Sequence, residues 1–269
     1  MPVIMFWNVR RSTATPYLAA ACLENNVDIL IVAEEETDRS SIEHALSSSG
    51  GGAYAEYAPV ESKLRFFTRF PLSYLSLAGD SGGRLSVRIL DEPGKPPISI
   101  AAVHVPSKMH RDAEDQFAIV RGYRRFIEKI EENVGHKNTM IIGDMNMNPF
   151  EPGMSAHDGF HGVMTKDIAN EMSRVFASEE ASFFYNPMWS RMGDESLGPP
   201  GSYFYKSSGT VDYMWHYFDQ ALLRPQLLSR YHVERLKIID RIGSRSLMKN
   251  GRIDTKISDH LPIIINLET

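Results

Sequence analysis

The chain has 269 residues, 42% hydrophobic and 23% charged, a balance that supports a globular protein with a sizeable core. Its formal net charge of −5 excludes a basic, sequence-independent nucleic-acid coat, so any polyanion contact must be local. A single cysteine, Cys22, excludes an internal disulfide and suits a reducing cytoplasm.

Met1 and Pro2 lead into VIMFW, too short for the apolar region of a signal peptide. No apolar run reaches the roughly eighteen residues of a membrane span, so a cytoplasmic chain without a membrane partner is expected. Residues 3–9 read as a strand ending near Asn8. Thr15 and Pro16 offer an N-cap and first position for a helix running to about Asn25. Residues 28–33 (DILIVA) have the unbroken apolar pattern of a strand buried on both faces, ending at Glu34. A helix is expected over 40–46 and a flexible loop over 47–52 (SSSGGG).

From residue 53 the period shifts toward two. Strands are expected over 54–59, 64–70, 84–90 and 98–105, with turns at 79–83 and 91–97. His104 stands near the end of the last of these, before Pro106. Residues 110–134 carry a helix whose apolar stripe includes Phe117, Val120, Ile127 and Ile130. Arg121, Arg124 and Arg125 fall on its solvated face, and Gly135 suits the C′ position.

Residues 140–148 (MIIGDMNMN) read as a buried strand ending in Asp144 and Asn146, two apart and therefore on one face. A helix is expected near 165–177, followed by loops that carry FFYNPMW at 183–189. Strands are expected over 202–205, 211–218 (carrying Asp212) and 257–267, with a short helix over 225–229. No internal repeat or linker divides the chain, so residues 1–269 are expected to form one domain.

Asn8, Glu34, His104, Asp144, Asn146, Asp212, Asp259 and His260 are the polar residues at strand ends. Singly, each is an ordinary turn former, cap or surface charge. Together they supply hard oxygen ligands without clustered cysteines, which suits Mg²⁺ or Mn²⁺ rather than thiolate-bound zinc. Two histidines with spare carboxylates could then do acid–base and electrostatic work at a phosphate.

Six stretches in order carry a resemblance: FWNVR at 6–10, DILIVAE at 28–34, AVHVPS at 102–107, IIGDMNMNP at 141–149, TVDYMW at 210–215 and SDHLPI at 258–263. With them the chain resembles the endonuclease/exonuclease/phosphatase superfamily of DNase I-like and exonuclease III-like enzymes. The resemblance implies an α/β fold, a four-layer α/β/β/α sandwich with two mainly antiparallel or mixed sheets.

It also implies a metal-dependent phosphodiester hydrolase with Mg²⁺ or Mn²⁺ held by Glu34, Asn8 and Asp259. Asp144 and Asn146 would position or deprotonate the attacking water. His260, oriented by Asp212, would stabilise charge at the phosphate, and His104 would donate a proton or hydrogen bond to it. Two positions depart from the family pattern: Arg10 stands where some members carry an acid, and VAE at 32–34 replaces the usual LQE.

Basic residues cluster in loops beside these strand ends: Arg10 and Arg11, then Lys108, His110 and Arg111, then Arg241, Arg245, Lys249 and Arg252. They are the local pattern of a polyanion cleft, in which Arg10, Lys108, Arg245 and Arg252 would contact substrate and Trp189 would stack on a base. The expected activity is a nuclease acting on DNA. The alternatives are a phosphatase or phosphodiesterase of a small or lipid-derived phosphate, such as an inositol phosphate, and a catalytically silent binding module.

Overall fold

The computed structural model describes residues 2–10, 15–48, 50, 52–57, 63–109 and 111–268. Arg11 and His110, expected near the substrate path, lie outside them, as do parts of the expected 47–52 loop and 54–59 strand. The strands of the two principal sheets are β1 (Val3–Asn8), β2 (Ile29–Ala33), β3 (Ala55–Glu56), β4 (Leu64–Thr68), β5 (Leu75–Ser81), β6 (Leu85–Leu90), β7 (Ile98–His104), β8 (Thr139–Asp144), β9 (Gly162–Val163), β10 (Phe184–Tyr185), β11 (Asp219–Leu223), β12 (Leu236–Ile238) and β13 (Ile263–Asn266). The helices are α1 (Thr15–Glu24), α2 (Arg39–Ser48), α3 (Ala113–Val134), and the single turns α4 (Pro152–Ser155) and α5 (Lys166–Ala169).

The first sheet runs β12-β13-β1-β2-β4-β3 and the second β5-β6-β7-β8-β11-β10-β9. Each is mixed: β1 pairs with β2 and β7 with β8 in parallel, while most other neighbours are antiparallel. Alternation divides the buried runs between two cores. In β2, Ile29, Ile31 and Ala33 enter the layer between the sheets, while Leu30 and Val32 face Leu18, Cys22, Ile42 and Leu46 of α1 and α2. In β7 and β8, Ile100, Ala102, Met140 and Ile142 fill the central layer, and Ala101, Val103 and Ile141 meet α3. The result is the four-layer α/β/β/α sandwich.

Helix α3 begins at Asp112, whose Oδ1 accepts from the Asp115 amide at 2.8 Å, a cap worth about 1 kcal/mol. It ends at Gly135, whose φ of 75° provides the left-handed turn expected there. Arg124 departs from the expected solvated face. It is buried, donating to the Gly159 carbonyl at 2.8 Å and the Ser182 carbonyl at 3.0 Å, and it pairs with Glu128 at 2.9 Å.

Other expectations are corrected. The helix expected over 165–177 is only the α5 turn, followed by a hairpin of Ser173–Phe176 and Glu179–Ser182. Leu75–Ser81 is a strand paired with β6 where a turn was expected to begin at 79. Residues 211–214 are loop, not strand. Trp215–His216 pairs with Tyr203–Phe204 in a separate ribbon, and the sheet strand begins at Asp219.

Candidate active site

Sheet register sets the site. Asn8 pairs with Ala33, which brings Glu34 to the end of β1. His104 pairs with Asp144 across β7 and β8, and Asp144 pairs with Asp219 across β8 and β11. These strand ends meet at one rim of the sandwich, in a cleft of about 660 Å³ lined by Asn8, Glu34, His104, Asp144, Asn146, Asp259 and His260. Gly143 allows the close approach of β7 and β8, because a Cβ there would lie 1.9 Å from the Val103 carbonyl oxygen.

The segment bearing His260 is pinned to the end of β1. Ser258 Oγ donates to the Asn8 carbonyl at 2.8 Å and accepts from the His260 amide at 3.1 Å. Trp7 Nε1 donates to the His260 carbonyl at 2.9 Å.

Asp144 is the centre of the hydrogen-bond network. Its Oδ2 accepts from Asn8 Nδ2 and Asn146 Nδ2, both at 3.0 Å, and its Oδ1 accepts from the Asn146 amide at 2.8 Å. Asn146 also donates to the Val105 carbonyl at 2.9 Å, and Gln220 holds the following loop through the Met147 carbonyl at 2.6 Å. Arg10, Glu34 and Asn146 all have positive φ, at 41°, 58° and 49°. For arginine and glutamate this left-handed conformation costs on the order of 1 kcal/mol or more each, which the surrounding structure offsets. All three line the cleft.

Electrostatics separate the three titratable groups. Burial disfavours the His260 imidazolium, but the carboxylates of Asp219, 2.8 Å from Nδ1, and Asp144, 3.9 Å from Nε2, outweigh it and raise His260 to about 10. Burial pushes the Asp144 carboxyl above the ordinary carboxylate range, with His260 opposing. His104 goes the other way. Burial, then the positive charges of Arg84, His260 and Lys63, lower it to about 3, so its ring is neutral. His104 Nε2 lies 3.4 Å from Glu34 Oε1 and 3.8 Å from Asp144 Oδ2.

The structure therefore brings together Asn8, Glu34, His104, Asp144, Asn146, Asp259 and His260. Asp212 is not among them. Its carboxylate caps the amides of Ser207 and Met214, both at 2.8 Å, in the loop before the ribbon. Asp219 occupies the place behind His260 that was expected of Asp212. The signal for it is the DQALL run at 219–223, an acid directly before an apolar strand, which places Asp219 beside Asp144 in antiparallel register.

The expected substrate contacts divide. Arg10 lines the cleft and pairs with Asp259 at 3.2 Å. Lys108 is paired with Glu151 and lines an adjoining cavity of about 670 Å³, with Phe150, Tyr205, Tyr213, His216 and Phe218. Arg245 pairs with Asp254 at 2.8 Å, and Arg252 stacks over Phe204 with its guanidinium carbon 5.0 Å from the ring centre. Neither lines the cleft. Trp189 is half-buried against Phe150, with ring centres 6.4 Å apart, and lines neither the cleft nor the adjoining cavity. Tyr203 is the aromatic residue at the centre, its ring 4.6 Å from that of His260.

The oxygen donors fit a hard divalent cation. Glu34 and Asp259 open into the cleft, and Asp259 Oδ1 is buried without a hydrogen-bond partner. Asn8 Oδ1 accepts from the Arg10 amide at 3.2 Å. A second group, Asp144, Asp219 and His260, has potential ligand atoms within 4.8 Å of one another. Within that group Asp219 Oδ2 lies 2.8 Å from His260 Nδ1, so one potential ligand atom of each is already taken by a hydrogen bond.

No family model and no curated protein matches the chain. Solved structures do. An AP endonuclease from Archaeoglobus fulgidus matches at 17% identity and a TM-score of 0.54, covering 100% of both chains. TDP2 from D. rerio, complexed with single-strand DNA product, matches at 15% identity and a TM-score of 0.57, covering 100% of this chain and 99% of that one. The 3′ phosphatase NExo from Neisseria, bound to a product DNA hairpin, matches at 15% identity and a TM-score of 0.52, covering 100% of both. The layers, the strand order and these likenesses agree, and the chain has the fold of the endonuclease/exonuclease/phosphatase superfamily.

Proposed function

We propose that the chain is a divalent-metal-dependent phosphodiester hydrolase, a nuclease acting on DNA. One observation carries this reading: Asp219, His260 and Asp144 form a buried line of hydrogen bond and charge that ends in a cleft furnished with further oxygen donors. A catalytically silent module has no need of a buried imidazolium between two carboxylates, an arrangement that costs desolvation.

Glu34 and Asp259, with Asn8 beside them, would hold Mg²⁺ or Mn²⁺. The cation would supply charge stabilisation at the scissile phosphate. The chain's own groups do the rest. Asp144 is held by three hydrogen bonds and raised by burial, which suits a base that takes a proton from the attacking water. Asn146 fixes the orientation of that carboxylate. Asp219 keeps Nδ1 of His260 occupied, so Nε2–H faces the cleft and can donate to a phosphate oxygen as negative charge accumulates. His104, neutral and beside Glu34, can offer a hydrogen bond to the substrate.

DNA is favoured because the AP endonuclease, TDP2 and NExo structures that share the fold are of DNA-processing proteins, two of them with DNA product bound. Among the described residues no helix is long and apolar enough to cross a membrane.

The test incubates purified protein with plasmid DNA, single-stranded DNA, RNA and inositol phosphates, in Mg²⁺, Mn²⁺ or EDTA. Metal-dependent DNA cleavage that falls by about 10²-fold or more in Asp144→Ala is expected. Hydrolysis of inositol phosphates without any nucleic-acid cleavage would overturn the nuclease reading in favour of a small-phosphate phosphatase. Equal activity in Asp144→Ala would show that the site lies elsewhere.

A further inference from the structure

Two cations in the cleft remain without an assigned part. Lys63 immediately precedes β4, whose Leu64 pairs with Ala33, so it stands across from Glu34. Arg84 immediately precedes β6, whose Leu85 pairs with Val103, so it stands beside His104. They belong to different sheets, yet the Lys63 amide donates to the Gly83 carbonyl at 2.8 Å, which ties the two strand starts together. Both side chains line the same cleft as His260.

Their charge is not absorbed locally. Arg10 pairs with Asp259, Lys108 with Glu151 and Arg245 with Asp254. Among the described residues neither Lys63 nor Arg84 forms a salt bridge with a carboxylate. Arg84 uses one nitrogen, Nη1, to donate to the His104 carbonyl at 3.2 Å. That bond anchors a guanidinium whose other donors have no hydrogen-bond partner among the described residues and suit a planar oxyanion. Both charges also act on His104, disfavouring its protonated form. Two like charges converging on a partly closed cleft repel each other, and an anion between them relieves that repulsion.

The two histidines flank one carboxylate oxygen, Asp144 Oδ2, at 3.8 Å for His104 and 3.9 Å for His260. Tyr203 lies against His260 and Arg10 pairs with Asp259, whereas Glu34 lies 3.4 Å from His104, with Lys63 and Arg84 at the strand starts next to Glu34 and His104. We propose that Lys63 and Arg84 form a second phosphate subsite, which takes the phosphate group next to the one engaged by His260. This rests on the phosphodiesterase reading and narrows it to substrates that carry two neighbouring phosphates, as a nucleic-acid strand or a bisphosphorylated small molecule does.

The test measures binding in EDTA, apart from catalysis. Fluorescently labelled dTpdT, with one phosphate, and dTpdTpdT, with two, are titrated into wild type, Lys63→Gln, Arg84→Gln and Arg84→Lys. Wild type should bind the trinucleotide about ten-fold more tightly than the dinucleotide, and Lys63→Gln and Arg84→Gln should each erase most of that gain. The slope of log affinity against log salt should fall by about 0.7 for each lost cation. Arg84→Lys should recover the salt slope, which separates lost charge from a misplaced His104. Competition by inositol 4,5-bisphosphate, whose phosphates are vicinal, but not by the monophosphate would assign the subsite to small bisphosphates as well as strands.

Equal loss for both oligonucleotides, or unchanged trinucleotide affinity in Lys63→Gln, would overturn the subsite. Tight, Lys63-dependent trinucleotide binding without hydrolysis in Mg²⁺ would sustain the subsite and overturn the catalytic reading.

Discussion

Asp219 lies fully buried behind His260, and their 2.8 Å contact decides how that histidine behaves. An imidazole this buried would ordinarily lose its proton, yet the two carboxylates raise it to about 10. In the metal-free protein, nitrogen NMR should show His260 protonated through neutral pH. In Asp219→Asn its pKa should move down toward the ordinary 6.5. Because the folded-state value is raised, His260 contributes stability that is full below about 6.5 and lost as pH rises through about 10. The alkaline limb of the stability curve should therefore flatten in Asp219→Asn. An unchanged His260 titration in that variant would remove Asp219 from the network. At this scale the SDHLPI pattern marks His260, while no local pattern marks the carboxylate that bonds it. TVDYMW and FDQALL each offer an acid at an apparent strand end, and only pairing across β8 distinguishes Asp219 from Asp212.

Among the elements, α3 and β11 are clamped by a buried pair. Arg224, just after β11, meets Glu131 of α3 through two contacts at 2.9 and 2.8 Å, with its guanidinium 3.9 Å from the Phe184 ring centre. Removing Glu131 leaves the buried guanidinium with only Glu128, 3.6 Å away; breaking a buried pair typically costs up to about 3–5 kcal/mol. Glu131→Ala should lower the urea midpoint accordingly, and a change below about 1 kcal/mol would mean that Glu128 takes over the guanidinium. Arg224 directly follows the strand whose pairing with β8 sets Asp219 beside Asp144. Elements with a strong period were legible: α3 and β8 start and end within a few residues of expectation. The hairpin over Ser173–Ser182 was not. Its turn places Ala177 and Ser178 at φ of 50° and 69° without the glycine or asparagine that usually marks such a turn.

On the scale of the whole molecule, the site exists only because distant segments close on one rim. Asn8 and Asp144 bond across 136 positions, and Ser258 returns to Asn8 across 250. Polar residues at the ends of apolar runs were legible because strands expose their ends where a buried sheet meets solvent. The cleft's cation pattern was not legible. Arg245 and Arg252 lie in short ribbons turned to other partners, while Lys63 and Arg84 reach the cleft through sheet pairing that no local pattern encodes. The most direct measurement compares Mg²⁺-dependent DNA cleavage by Asp219→Asn and Asp212→Asn under identical conditions. Asp219→Asn should lower kcat by about 10²-fold or more, while Asp212→Asn stays within a few-fold of wild type. Near-normal cleavage by Asp219→Asn, with collapse in Asp212→Asn, would take the orienting role from Asp219 and give it to Asp212.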